Sequence, residues 1–115
     1  MDKLEQLEKQ FEDFVRDRDW EQFHSPKNVA MALSVEASEI VEIFQWMNGE
    51  DSYNLDDDKI KRLKEEIGDV FLYLQLLAAK YDIDMIEVAE KKLTKNKEKY
   101  PVNKAKGSSK KYTEF

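Results

Sequence analysis

The sequence predicts an all-α fold, a helical bundle of about four helices. Only three glycines and two prolines interrupt 115 residues. Leu, Glu, Lys and Ala, all good helix formers, are abundant. Apolar residues recur at three- and four-residue spacing rather than in strict alternation, which is the helical period.

The first helix is expected over about residues 2–18. Leu4, Leu7, Phe11 and Phe14 follow one another at 3-4-3 spacing and draw a single apolar stripe. A short aromatic link, Asp19-Trp20-Glu21-Gln22-Phe23-His24-Ser25-Pro26, comes next. Ser25 suits an N-cap and Pro26 the first helical position, so a second helix is expected from Pro26 to about Met47. Asn48-Gly49 reads as its stop. Residues 50–58 form a polar loop ending in Asp56-Asp57-Asp58. Those acids complement the positive end of a third helix, about 57–80, carrying Ile60, Leu63, Ile67, Val70, Phe71, Leu74, Leu77 and Ala78. Asp84 and Glu87 resemble a capping box opening a fourth helix, about 85–99, which Pro101 ends. Residues 1–101 thus read as one helical domain, and residues 102–115, with Gly107-Ser108-Ser109, as an irregular basic tail.

Helices two and three are apolar nearly all round. Such helices are central, or face another subunit. The expectation is a core completed by oligomerisation, as a dimer or tetramer.

Charge is unevenly distributed. The chain carries a net −6, but residues 1–90 hold 10 Lys/Arg against 23 Asp/Glu, while residues 91–115 hold nine lysines against Glu98 and Glu114. An acidic body repels the phosphates of a nucleic-acid polymer. No run approaches the ~20 apolar residues of a membrane span, and the N-terminal residues lack a signal peptide's apolar core. Without cysteine there is no disulfide framework, thiolate metal site or thiol nucleophile. A cytoplasmic location is the default expectation.

Two acidic pairs interrupt apolar stripes. On helix two, Glu36 falls in the stripe Val29, Leu33, Ile40, Phe44, and Glu39 in the stripe Ala32, Val35, Ile43, Trp46. On helix three, Glu66 lies between Leu63 and Val70, and Asp69 between Glu66 and Tyr73. Each pair is spaced i,i+3, so its carboxylates share one helix face. Charge on a core-facing stripe costs several kcal/mol unless compensated. A bound cation compensates it. Four carboxylates without histidine or cysteine make a hard, all-oxygen set suited to Mg²⁺ or Mn²⁺. A di-iron bundle would need Glu-x-x-His, and the single histidine, His24, lies in a link. The acidic loop lacks the glycine and ligand spacing of an EF-hand. Salt-bridged pairs in a non-catalytic oligomerisation module are the competing reading, with Lys92 or Lys95 as partners.

Glu36-x-x-Glu39, then 26 residues, then Glu66-x-x-Asp69, resembles the signature of MazG-like nucleoside triphosphate pyrophosphohydrolases. More of the chain is similar to the dCTP pyrophosphatase branch, in the same order. The matching stretches are residues 18–24, Phe44-Gln45-Trp46, Glu65-Glu66-Ile67-Gly68-Asp69-Val70, Asn96 with Tyr100-Pro101-Val102, and Gly107-Ser108-x-Lys110-Lys111-Tyr112-Thr113.

The resemblance implies an all-α oligomer that splits a nucleoside triphosphate between the α and β phosphates with Mg²⁺. It implies Glu36, Glu39, Glu66 and Asp69 as catalytic metal ligands. Trp20, His24, Trp46 and Tyr73 would line the base and sugar pocket. Lys92 and Asn96 would reach the nucleotide from helix four, with Lys110, Lys111 and Tyr112 as further contacts from the tail. The substrate expected is dCTP or a related, modified pyrimidine triphosphate, and the role nucleotide-pool cleansing. A dUTPase or a phosphoribosyl-ATP enzyme is the other member of the group to weigh. Where the broader family pattern often has one more Glu, this chain has Val35. The residue that orients the attacking water therefore stays open among Glu39, Glu42 and Glu65.

Overall fold

The structure, a computed structural model, describes residues 2–115. Among the described residues there are helices and turns and no strand. The α-helices are α1 (Lys3–Asp17), α2 (Pro26–Phe44), α3 (Asp57–Ala79), α4 (Met85–Lys99) and the single-turn α5 (Val102–Ala105). Short 3-10 turns form at Glu21–Phe23, Asp51–Tyr53 and Tyr112–Glu114.

Each long helix starts on a side-chain cap, which satisfies a backbone N–H left without a partner at the helix start. Asp2 accepts from the Glu5 N–H at 2.8 Å, Ser25 from Asn28 at 3.2 Å, Asp56 from Lys59 at 2.8 Å and Asp84 from Glu87 at 3.0 Å. Helix α2 stops at Phe44, short of the expected Met47. The Met47 N–H turns back to the Phe44 carbonyl at 3.1 Å. Asn48 Oδ1 then accepts from the Asp51 N–H at 2.8 Å, giving the chain a local turn in place of another helical one.

The chain divides into two compact units, one ending at Tyr81 and the other running Asp82–Phe115. In the first, α2 and α3 form the principal pair and α1 lies against α3. Arg62 Nη2 donates to Glu42 Oε2 at 3.2 Å, tying the end of α2 to the start of α3. The buried apolar core is small: Val15, Val29, Ile43 and Leu76. Gln75 is buried beside it and donates from Nε2 to the Leu4 carbonyl at 3.0 Å, fastening α1 to α3. Met31, Val35 and Val41 of α2, and Ile67, Phe71 and Leu74 of α3, remain exposed.

In the second unit, the residues after Pro101 carry more order than an irregular tail. Tyr100 packs edge-on against Tyr112 (6.0 Å between centroids) and Phe115 (5.8 Å). Lys99 Nζ stands 4.8 Å over the Tyr112 ring. Gly107, at φ +77°, supplies the left-handed residue in the segment joining α5 to that C-terminal turn.

Candidate active site

Helix periodicity brings the acids together. Glu36 and Glu39 on α2 and Glu66 on α3 each offer a carboxylate oxygen within 4.8 Å of the others. Glu36 Oε2 and Glu66 Oε2 are buried and have no hydrogen-bond partner. Burial raises the Glu36 carboxyl to a pKa of about 7, helped by the neighbouring carboxyls of Glu39 and Glu66 and by the charge of Asp69. Glu66 is raised too, first by the neighbouring carboxyl of Glu39. Acids this close resist full ionisation unless a cation joins them. At 4.8 Å, two full charges repel by roughly 3–4 kcal/mol at an effective dielectric of 20. The buried, unpartnered oxygens and the all-carboxylate donor set fit a hard divalent cation. Among the described residues of the unit ending at Tyr81, none of Glu36, Glu39, Glu66 and Asp69 is ion-paired.

Asp69 stands apart from that trio. It lies one turn further along α3 and lines a neighbouring cavity, while its charge raises the pKa of Glu36, Glu66 and Tyr73. The cavity has a volume of about 440 Å³. Leu7, Phe11, Phe14, Trp20 and Leu72 give it apolar walls, and Gln10, His24, Asp69 and Tyr73 give it polar groups.

The aromatic walls form a connected series. Phe11 stacks on Phe14 at 6.0 Å, Phe14 meets Trp20 edge-on at 5.5 Å, Trp20 meets His24 at 6.4 Å, and His24 meets Tyr73 at 6.5 Å. Local chemistry places Trp20 and His24. Asp19 adopts φ +54° after α1, a left-handed conformation that Asp tolerates better than most side chains. The chain reverses there, and the Trp20 N–H returns to the Val15 carbonyl at 3.0 Å. Gln22 Nε2 holds the Asp19 carbonyl at 2.9 Å, and Asn28 Nδ2 holds the Phe23 carbonyl at 3.0 Å. His24 Nδ1 is buried without a partner. Burial, then the nearby Lys80, lowers the His24 pKa and favours the neutral ring. Burial, then Glu36 and Asp69, raises that of Tyr73, so the phenol keeps its proton.

Among the residues expected at the nucleotide pocket, Trp20, His24 and Tyr73 share this cavity with Asp69. Trp46 does not: it follows the end of α2 and is 91% exposed. Lys92 and Asn96 lie on α4 in the second unit. There Lys92 is lowered in pKa, chiefly by the charge of Lys99. Lys110, Lys111 and Tyr112 belong to that unit's C-terminal segment. Gln10, Phe11, Phe14 and Leu72 were not expected at the cavity. Phe11 and Phe14 read as core positions in the sequence. Gln10, flanked by Leu7 and Phe14 on one face of α1, carried the same signal as Glu36, a polar residue inside an apolar stripe.

Similarity to known proteins agrees with this geometry. The model of the MazG-like family matches residues 31–115. The dCTP pyrophosphatase 1 of Homo sapiens is 39% identical over 114 residues, covering 97% of this chain and 67% of that protein. Its counterpart in Mus musculus is 37% identical over the same length, covering 97% and 67%. The crystal structure of a pyrophosphatase from Archaeoglobus fulgidus superposes with a TM-score of 0.82 at 34% identity, covering 88% of this chain and 94% of that one.

Proposed function

Because this chain belongs to the MazG-like family and is an enzyme of the nucleotide pyrophosphohydrolase type, we propose that it hydrolyses dCTP or a related deoxynucleotide. The bond cleaved is the α–β phosphoanhydride, and the products are the monophosphate and pyrophosphate. The observation that carries this reading is the adjoining of two environments within one unit. A carboxylate trio with buried, unpartnered oxygens stands beside a cavity walled by aromatic rings, and Asp69 belongs to the cavity while acting on the trio.

Each environment suits one end of a nucleotide. Ring faces stack a base, worth ~1–3 kcal/mol per base. Glu36, Glu39 and Glu66, with Asp69 beside them, would hold Mg²⁺, and Mn²⁺ would substitute. When bound, the ion neutralises charge on phosphate oxygens and makes water a better nucleophile at neutral pH. Phosphoryl transfer asks little more of a protein than positioning and electrostatic stabilisation. Asp69 and Tyr73 mark the phosphate end of the cavity, because they follow Glu66 by one and two turns of α3. Water supplies the oxygen that ends on one product, and a carboxylate takes its proton. Glu39, Glu42 and Glu65 are the acids weighed for that task, and Glu42 is paired with Arg62.

The exposed apolar residues of α2 and α3 support assembly as a homo-oligomer, and residues 1–101 would carry the catalytic carboxylates with residues 102–115 as an accessory tail. No described helix is long and apolar enough to cross a membrane. Cleansing of a cytoplasmic nucleotide pool is the role that follows from such an activity.

The test is a panel of canonical and modified nucleoside triphosphates, each with Mg²⁺ and with EDTA, the products resolved by ion exchange. Monophosphate plus pyrophosphate, formed only with metal and fastest from cytosine nucleotides, is the expected result. Diphosphate plus orthophosphate would identify a different bond and overturn the reading. Absence of turnover across the panel would overturn the choice of substrate.

A further inference from the structure

We propose that Gln10 reads the base: its carboxamide pairs with the ring-nitrogen and amino edge of a 4-aminopyrimidine held in the aromatic cavity. The inference rests on the nucleotide reading above and adds to it the residue that recognises the base.

Besides the Trp20 indole N–H, a single donor, the cavity has four polar side chains, and they divide by position. Asp69 follows Glu66 by one turn of α3 and Tyr73 follows it by two, so they belong to the phosphate end. His24 and Gln10 remain for the nucleoside. Gln10 projects from α1 among Leu7, Phe11 and Phe14, the apolar side of the cavity. A base is flat and apolar on its faces and polar only at its rim. Rings that cover its faces leave the rim to whatever polar group stands among them.

Gln10 also lines a second cavity, of about 430 Å³, which shares Leu7 with the first and is otherwise lined by Lys3, Leu4, Gln6 and Phe71. It thus borders both cavities. Among the described residues its carboxamide makes no hydrogen bond. It is therefore free to serve a ligand without breaking an internal contact.

The chemistry of the amide fits such an edge. A carboxamide presents one acceptor oxygen and one donor nitrogen in a plane. Cytosine presents the complementary pair on adjacent ring positions, the N3 acceptor and the N4 amino donor. Bidentate pairing of this kind is how Gln and Asn read adenine. His24, neutral and single-edged, offers one hydrogen bond toward the cavity and does not match both atoms.

The experiment compares dCTP with its analogue lacking the exocyclic amino group, the triphosphate of 2-pyrimidinone deoxyriboside. Both are run on the full chain with Mg²⁺, for wild type, Gln10→Leu and Gln10→Ala. Position 10 is exposed on α1, and both replacements are good helix formers, so the fold is retained. Wild type should favour dCTP by roughly tenfold in kcat/KM, since a site built to pair a substrate group discriminates against its absence. Both variants should lose that preference through a higher KM for dCTP, with kcat held. A preference kept in both variants, or an equal fall in kcat for both substrates, would overturn the assignment. Failure of wild type to hydrolyse dCTP at all would overturn the functional reading, and this inference with it.

Discussion

Replacing Glu36 by glutamine should make the metal-free protein less sensitive to pH and remove its response to metal. In the folded chain the Glu36 carboxyl titrates near 7, against 4.5 for the ordinary group. Between those values the folded state holds a proton that the unfolded state has released. Stability from this group is therefore complete below about pH 4.5 and declines as pH rises through about 7. Taken at face value the shift corresponds to about 3 kcal/mol. Glu36 is only part-buried and water screens its neighbours, so about 1 kcal/mol is the effect to look for. Glutamine keeps a similar shape and does not titrate. The stability difference, variant minus wild type, should thus move in the variant's favour by about 1 kcal/mol between about pH 5 and about pH 8 in EDTA. That corresponds to a relative Tm shift of about 4 °C at this chain length. Adding Mg²⁺ at the higher pH should reverse the order, because only the wild type keeps the full donor set and gains stability by binding. Thermal denaturation followed by circular dichroism, at one fixed protomer concentration, reads both effects. A difference that stays flat with pH, or equal metal-induced shifts in the two proteins, would refute the reasoning.

Asp69→Asn should lower turnover at least 100-fold while leaving helical content unchanged, checked by product analysis and circular dichroism. Trp20→Ala should raise KM for dCTP about tenfold, consistent with loss of a stacking face; Trp46→Ala, measured on protein held dilute enough to dissociate any oligomer, should leave nucleotide binding by the single chain unchanged. Apparent Mg²⁺ affinity should rise with pH up to about 7, as the Glu36 proton is displaced, and calorimetry in buffers of different ionisation enthalpy should detect proton release. Ser25→Ala removes the α2 cap and should cost about 1 kcal/mol in urea denaturation, with activity per folded molecule retained.

Much of this protein is written in local sequence. Helix positions follow from apolar spacing, and helix starts from Asp2, Ser25, Asp56 and Asp84, because a cap and a stripe each involve residues within a turn or two. Charges placed inside stripes identified Glu36, Glu39, Glu66 and Asp69 as residues needing compensation, and their order along the chain pointed to the family. Tertiary packing decided the rest. Whether four acids converge depends on how α2 meets α3, and that packing gathers three oxygens within 4.8 Å and leaves Asp69 to the cavity. The wall contributed by α1 was likewise invisible, because Phe11 and Phe14 carry the same pattern whether they fill a core or face a void. Trp46 shows the converse. Its spacing continues the α2 stripe, yet the helix ends at Phe44 and the indole faces solvent. Periodicity fixes which residues share a face of a helix; what that face meets is set by residues distant in sequence, and no local pattern encodes it.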